Sequence, residues 1–290
     1  MKIDLHTHSS ASDGTDAPEQ LPQLAHVAGL DVVALTDHDT VAGWELAARA
    51  APAAGVALVR GIEITTHCLV DPAEHPAGKN QVSVHILGYL FDPSHPLIAS
   101  HIARMASARD DRAREIVARL AVDYPINWET VQNFRDPAAP IGRPHIADAL
   151  VAAGIVGDRS AAFRTILSTN SPYYVPNHSP LAADAVQWIV QAGGKAVLAH
   201  PKARARGNYL PDAAFGPLRD AGLFGVEVNH RDNPPAERAA LARLAAALGL
   251  REFGSSDYHG TGKPNRLGEN VTHPEVYEEL LAGTFMCLVE

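Results

Sequence analysis

The sequence predicts an α/β protein: a barrel of seven strands interleaved with helices, carrying a mainly helical insertion between the fourth and fifth strands. Strand-like apolar runs alternate with Ala-rich helical stretches near both ends of the chain, the mark of βα units. Between residues 95 and 182 that alternation stops and helical, Pro-punctuated sequence replaces it. Six of the seven strand-like runs carry His, Asp or Glu at or just past their C-terminal ends, the face on which a β/α barrel gathers its chemistry. The reading divides the chain into a first barrel part (1–94), a helical insertion (95–182) and a second barrel part (183–290).

The elements follow in order. Residues 3–8 read as a strand ending in His6-Thr7-His8, then a Ser12-Asp13-Gly14 loop and a helix over 18–29 with Pro18 in its first turn. Val32 to Thr36 is a continuous apolar run, as in a strand buried on both faces. It ends in Asp37-His38-Asp39-Thr40, where Asp39 or Thr40 can cap a helix reaching residue 54. Ala57 to Thr65 is a third strand with Glu63 near its end, and 67–80 reads as a loop. Val82 to Phe91 is a fourth strand with His85 in mid-run, the exception to the end rule. A 97–121 helix bears Arg104, Arg109, Arg112 and Arg114. The insertion continues through Gly142-Arg143-Pro144-His145 and Tyr173 to His178. Helices at 183–193, 212–221 and 234–248 then alternate with strands ending in His200-Pro201, Glu227-Val228-Asn229-His230 and Asp257-Tyr258-His259.

Composition narrows the function. The chain of 290 residues is 46% apolar, with a formal charge of −9 and a pI near 5.9, so no overall basic field draws it to nucleic acid or membrane. No run of 18 apolar residues suggests a membrane span, and the chain begins as a strand rather than a signal peptide. Cys68 and Cys287 are the only cysteines; they offer no disulfide framework and suit a reducing cytoplasm. No protein partner is implied. The unusual feature is 15 histidines, histidine being the commonest metal-ligating side chain.

In an extended strand, residues two apart share a face, so His6 and His8 project together and can share one metal. A barrel mouth would collect His6, His8, Asp13, His38, Glu63, His85, His200, Asp257 and His259 from positions 250 residues apart. Imidazole mixed with carboxylate and no thiolate suits Zn²⁺, Mn²⁺ or Fe²⁺, with Mg²⁺ also open, rather than a structural Cys site.

Taken as an ordered set, Asp4-Leu5-His6-Thr7-His8, Ser12-Asp13-Gly14, Thr36-Asp37-His38, Gly61-Ile62-Glu63, Val84-His85, Ala199-His200-Pro201 and Ser256-Asp257-Tyr258-His259 resemble the polymerase and histidinol phosphatase (PHP) superfamily, over residues 1–92 and 183–290. The resemblance implies a distorted (β/α)7 barrel and a trinuclear metal centre, and two or three divalent ions are expected to be bound. It would give one metal His6, His8, Glu63 and Asp257, and a second Glu63 as bridge with His85 and His200. A third would take Asp13, His38 and His259. It also implies a metal-bridging hydroxide as nucleophile, with Glu63, His200, Asp257 and His259 serving catalysis and Asp37 orienting an imidazole.

The insertion resembles the subgroup of 3′,5′-nucleoside bisphosphate phosphatases, in which an Arg and a His from the insertion contact phosphate. That nominates Arg143 and His178, with His145 competing. Lys202, Arg204 and Arg206, after His200-Pro201, could form a phosphate-attracting edge. Glu227, Asn229 and His230 stand as possible substrate contacts. The implied reaction is hydrolysis of a small nucleotide's phosphate ester, with 3′,5′-bisphosphonucleotides the leading substrate. Short RNA cut 5′ to 3′, cyclic phosphates and sugar phosphates are the alternatives. An amidohydrolase acting on C–N bonds also begins with His-x-His, but no carboxylated-lysine candidate stands at a mid-barrel strand end. Gly-x-Ser-x-Gly and P-loop motifs are both missing from the sequence.

Overall fold

The computed structural model describes residues 1–134, 141–176, 179–204 and 208–289. Seven strands lie in chain order in one sheet: β1 (Ile3–Asp4), β2 (Val32–Leu35), β3 (Ala57–Leu69), β4 (Gln81–Tyr89), β5 (Lys195–Ala199), β6 (Gly225–Asn229) and β7 (Arg251–Gly254). The sheet curls until its ends meet. Thr7 bridges Tyr258, His8 N–H donates to Tyr258 O at 2.8 Å, and the buried Asp4 carboxylate accepts from Ser256 N–H and Gly268 N–H. The seven-stranded α/β barrel expected from the sequence is therefore present.

Alternation sorts the strand residues into two packing layers. Val33, Leu35, Leu58, Ile62, Ile64, Ile86, Leu198 and Val226 pack outward against helices. Those helices include α1 (Leu21–Val27), α2 (Trp44–Ala54), α7 (Ala182–Gln191), α8 (Phe215–Asp220) and α9 (Pro235–Leu248). Val32, Ala34, Val59, Leu87, Tyr89, Val197 and Phe253 form a separate cluster within the barrel, together with Tyr277 and Leu280 of α10 (Pro274–Leu281). Glu63, His85 and Glu227 share the inward parity of Val59, Leu87 and Gly225. One strand face thus runs from an apolar floor to a polar mouth.

Two boundaries differ from the sequence reading. The first strand pairs with β2 only at Ile3–Asp4, and Thr7 then bridges Tyr258 beyond the end of β7, so His6 and His8 stand on irregular backbone at the rim. More consequentially, β4 runs antiparallel to both β3 and β5, and β3 continues to Leu69, into the stretch read as loop. Reversal moves the mouth from the C-terminal end of β4 toward its N-terminal half. That explains His85: it pairs with Ala199, the last residue of β5, and so stands level with the other strand ends.

Between β4 and α7 lie α3 (Pro96–Leu120), α4 (Trp128–Gln132), α5 (Arg143–Ala152) and α6 (Arg159–Arg164). Pro96 opens α3 where its missing N–H costs nothing. Ile98 of α3 joins the barrel's outer layer. Ala113, Ile116, Val117 and Leu120 join a second apolar cluster with Ile146, Leu150, Ala162 and Leu167. At ~1.5 Å per residue, this one helix carries the chain from the barrel to a core of its own.

Candidate metal centre

Glu63, fully buried at the centre of the mouth, organises the site. Its Oε2 stands 3.0 Å from both His6 Nε2 and His8 Nε2 and 3.3 Å from His38 Nδ1. Its Oε1 stands 2.6 Å from His85 Nδ1 and 3.3 Å from His200 Nε2. Asp257 Oδ1 closes the first set at 3.5 Å from His6 Nε2 and 3.4 Å from His8 Nε2. On the far side of His8, Asp13 Oδ1 lies 3.2 Å from His259 Nε2 and its Oδ2 lies 3.9 Å from His38 Nε2. The structure thus brings all nine sequence-nominated residues to one place.

Three of the five ligand-like groups among the described residues are built from these nine alone: His6, His8, Glu63 and Asp257; His8, Asp13, His38 and His259; and His38, Glu63 and His85. His38 faces both Glu63 and Asp13, whereas the resemblance put it with Asp13 alone. Fitness for a cation shows in one cluster. The buried Nε2 atoms of His6 and His8 stand 3.1 Å apart and each lies 3.0 Å from Glu63 Oε2, the arrangement of two imidazoles and a carboxylate that share one cation. Ligand atoms 3.0–3.5 Å apart suit a small divalent ion, whose bonds to N and O run ~2.0–2.2 Å.

The electrostatics agree. Burial by itself would raise the Glu63 pKa, but His38, His6 and His85 hold it well below the usual carboxylate range. Burial would lower the pKa of His6 and His8. For His6 the carboxylates of Glu63, Glu227 and Asp257 override it, leaving the pKa well above normal. Hydrogen bonds to Asp257 and Glu63 bring His8 to about 9.

The backbone is specialised to reach this arrangement. Asp39, His200 and Asp257 adopt φ of 52°, 28° and 55°, the left-handed region that non-glycine residues enter at a cost. Gly14 is required by space: a Cβ there would lie 2.6 Å from His8 O. Asp37, expected to orient an imidazole, instead accepts hydrogen bonds from Ser9 N–H, Ser9 Oγ–H and Ser12 Oγ–H. It fixes the loop that presents Asp13. The carboxylate behind the His6 imidazole, on the side away from Glu63, is Glu227, 2.8 Å from His6 Nδ1. Glu227 and His230 are fully buried and Asn229 is exposed.

The nominated phosphate contacts fare unevenly. Arg143 is half-buried on α5, its guanidinium over the Phe163 and Tyr174 rings at 5.3 and 6.0 Å and donating to Leu167 O. His145 is buried and its Nδ1 accepts from Gly142 N–H at 2.9 Å. Lys202 is buried, its ammonium donating to Leu210 O and Asp212 Oδ1 at 2.6 Å each, so its charge is spent within its own loop. Arg204 pairs with Glu237. His178 and Arg206 lie outside the described residues.

Sequence reading gave no site role to three cations. Lys263 Nζ stands 3.0 Å from Asp257 Oδ2. Arg159 forks onto Asp148 and donates to Asp13 O. Arg109 ties α3 to the mouth by pairing with Asp39 and donating to Thr65 Oγ1 at 3.2 Å. The i, i+3 spacing of Arg109 and Arg112 on the long helix was the one available signal, since it puts both on one face.

Comparisons with known proteins bear on this geometry. The PHP domain profile matches residues 4–122. The chain is 33% identical over 274 residues to the 3′,5′-nucleoside bisphosphate phosphatase of Chromobacterium violaceum, covering 94% of this chain and 91% of that one. The chain belongs to the PHP family. It is a metal-dependent phosphoesterase, a hydrolase of phosphate esters. A second relative, the 5′-3′ exoribonuclease of Haemophilus influenzae, is 31% identical over 272 residues, 93% of this chain and 94% of that one. Among solved structures, one assigned as a metal-dependent phosphoesterase from Bifidobacterium adolescentis superposes with a TM-score of 0.90 at 41% identity, covering 97% and 96% of the two chains. A Chromobacterium violaceum structure described as an amidohydrolase, with bound sulfate and no metal, gives 0.82 at 31% identity over 97% and 96%. Among the described residues, no helix is long and apolar enough to cross a membrane.

Proposed function

We propose that this PHP phosphoesterase removes the 3′-phosphate from a small 3′,5′-bisphosphonucleotide, using two or three divalent ions held by His6, His8, Asp13, His38, Glu63, His85, His200, Asp257 and His259. The observation that supports the substrate is a group of arginines, of which Arg109 pairs with Asp39 at the mouth. Arg112 lies over the Tyr174 ring at 5.6 Å and donates to Val175 O, and Arg143 shares the same ring. Burial, then the charges of Arg143 and Arg109, bring the Arg112 pKa down to about 10. Among the described residues no carboxylate pairs with Arg112 or Arg143. In a chain of net charge −9, uncompensated guanidinium charge of this kind is built to receive a dianion.

Manganese, zinc or iron at the centre would supply Lewis-acid charge and lower the pKa of water. The chain's own residues do the rest. Glu63 stands between two sets of imidazoles and keeps them facing inward. Arg143 and Arg112 take the remote 5′-phosphate, their planar forks matching phosphate oxygens in pairs. Arg109, already engaged with Asp39, sets the distance from that subsite to the mouth.

The test compares wild type and Arg143→Ala on a 3′,5′-bisphosphate, p-nitrophenyl phosphate and a 5′-phosphorylated oligoribonucleotide. A lost charge-assisted hydrogen bond costs about 1.5–3 kcal/mol, so kcat/KM for the bisphosphate should fall roughly ten- to a hundred-fold, and less for p-nitrophenyl phosphate. Equal losses would place Arg143 at the scissile phosphate. No loss would remove it from recognition. Faster cleavage of the oligonucleotide than of the bisphosphate would replace this reading with an exoribonuclease.

A further inference from the structure

We infer that Glu227, on a strand that supplies no ligand itself, is the positioning residue that sets the tautomer of His6 and the presentation of His200 at the metal centre. The inference rests on the reading of those two histidines as ligands. Glu227 is fully buried, so no substrate can touch it. Both of its oxygens are engaged by donors. Oε1 accepts from His6 Nδ1–H at 2.8 Å and from Ser255 Oγ–H, and Oε2 accepts from the His200 backbone N–H at 2.8 Å.

Two consequences follow. A neutral His6 that donates from Nδ1 must present the lone pair of Nε2, the atom that faces Glu63, His8 and Asp257; a carboxylate behind a ligating imidazole also raises its basicity. His200 sits at φ 28°, and the Glu227 carboxylate grips the N–H at that left-handed residue. Glu227 is itself held: Asn233 Nδ2 donates to Glu227 O at 2.8 Å, and Asn233 Oδ1 accepts from Lys202 N–H at 3.0 Å. Strand ends from β1, β5, β6 and β7 are thus tied at one carboxylate.

His6, Glu227 and His230 also form a compact His/Glu group, but its hydrogen bonding argues against a separate metal there. Both Glu227 oxygens already accept from donors. His230 Nδ1 accepts from Asp232 N–H at 3.1 Å, which leaves the proton, not the lone pair, on Nε2.

Because all three partners are donors, Glu227→Gln is nearly isosteric yet mismatched: its NH₂ must meet an N–H or O–H. The experiment titrates metal-stripped full-length protein with Zn²⁺ or Mn²⁺ in competition with a chelator, and records the melting temperature of the metal-free form. Glu227→Gln should weaken the tightest metal site roughly 10- to 100-fold, while Ser255→Ala, which leaves both histidine contacts, stays near wild type. A lower melting temperature with unchanged metal affinity would reduce Glu227 to a packing role and overturn the inference. Should the Gln variant not fold, Glu227→Asp keeps the charge but withdraws the carboxylate, and wild-type affinity there would overturn it equally. His6→Ala and His200→Ala separate the two levels. If they keep full affinity, the ligand reading itself fails; if they lose it and Glu227→Gln does not, only the positioning role fails.

Discussion

Replacing Arg109 with methionine would unpair a carboxylate that folding has placed almost out of water. The Asp39 side chain is 1% exposed and accepts from Arg109 Nη2, Thr65 N–H at 2.9 Å, Thr65 Oγ–H at 2.8 Å and His101 Nε2 at 3.3 Å. Removing one partner of a fully buried ion pair costs about 3–5 kcal/mol. Here Thr65 and His101 keep donating, and the Arg109 side chain retains 15% exposure, so about 2–3 kcal/mol is expected. Urea unfolding of wild type, Arg109→Met, Asp39→Asn and the double variant, followed by circular dichroism, measures it. Asp39→Asn should recover at least about 1 kcal/mol in the Arg109→Met background, because it removes the stranded charge.

The pH dependence has a definite sign. Burial would raise the Asp39 pKa, but Arg109 and then His101 outweigh it and hold it well below the carboxylate norm. A depressed folded pKa lends stability that is fully present above the unfolded value of about 4 and is lost as pH falls through the folded one. The Arg109→Met penalty should therefore hold steady from about pH 6 to 8 and shrink in acid, as the variant's unpaired carboxylate takes up a proton. A cost under about 0.5 kcal/mol, of the size usual for surface substitutions, or strict additivity in the cycle, would refute the argument. Because Asp39 follows His38, the same latch couples the insertion to the mouth.

Glu63→Gln should abolish turnover and most metal retention while leaving far-UV circular dichroism unchanged, since the residue touches both sets of imidazoles; elemental analysis of the purified variant checks it. Lys202→Met should lose about 1–2 kcal/mol of stability, having lost its bonds to Leu210 O and Asp212, yet keep kcat/KM within a few-fold. A hundred-fold loss would return Lys202 to the phosphate. Cys68 is buried, with a thiol pushed up to about 12 by burial, and Cys287 is exposed. A thiol reagent at pH 8 should therefore titrate one group in the native protein and two after denaturation.

Much of the barrel was legible because its signals are local. Apolar runs such as Val32–Leu35, the Ala-rich α2 and the Pro96 start of α3 each follow from short-range sterics and periodicity. The direction of β4 was not. A parallel and an antiparallel strand bury the same residues on the same faces, so composition cannot tell them apart, and His85 looked misplaced until the β3–β4 pairing put it level with Ala199.

The chain by itself determined which residue types carry the chemistry: imidazoles and carboxylates at strand ends, readable because ligand identity is a property of the side chain alone. Tertiary structure decided which of them meet and what each one does. Glu227 and Lys202 looked like mouth residues in sequence, but burial turned one to His6 and the other to Asp212. Arg109 gained its part only when α3 packed beside Asp39, 70 residues away. Residue spacing put Arg109 and Arg112 on one helix face, but which partner a side chain meets is decided through space, where low dielectric strengthens every charge.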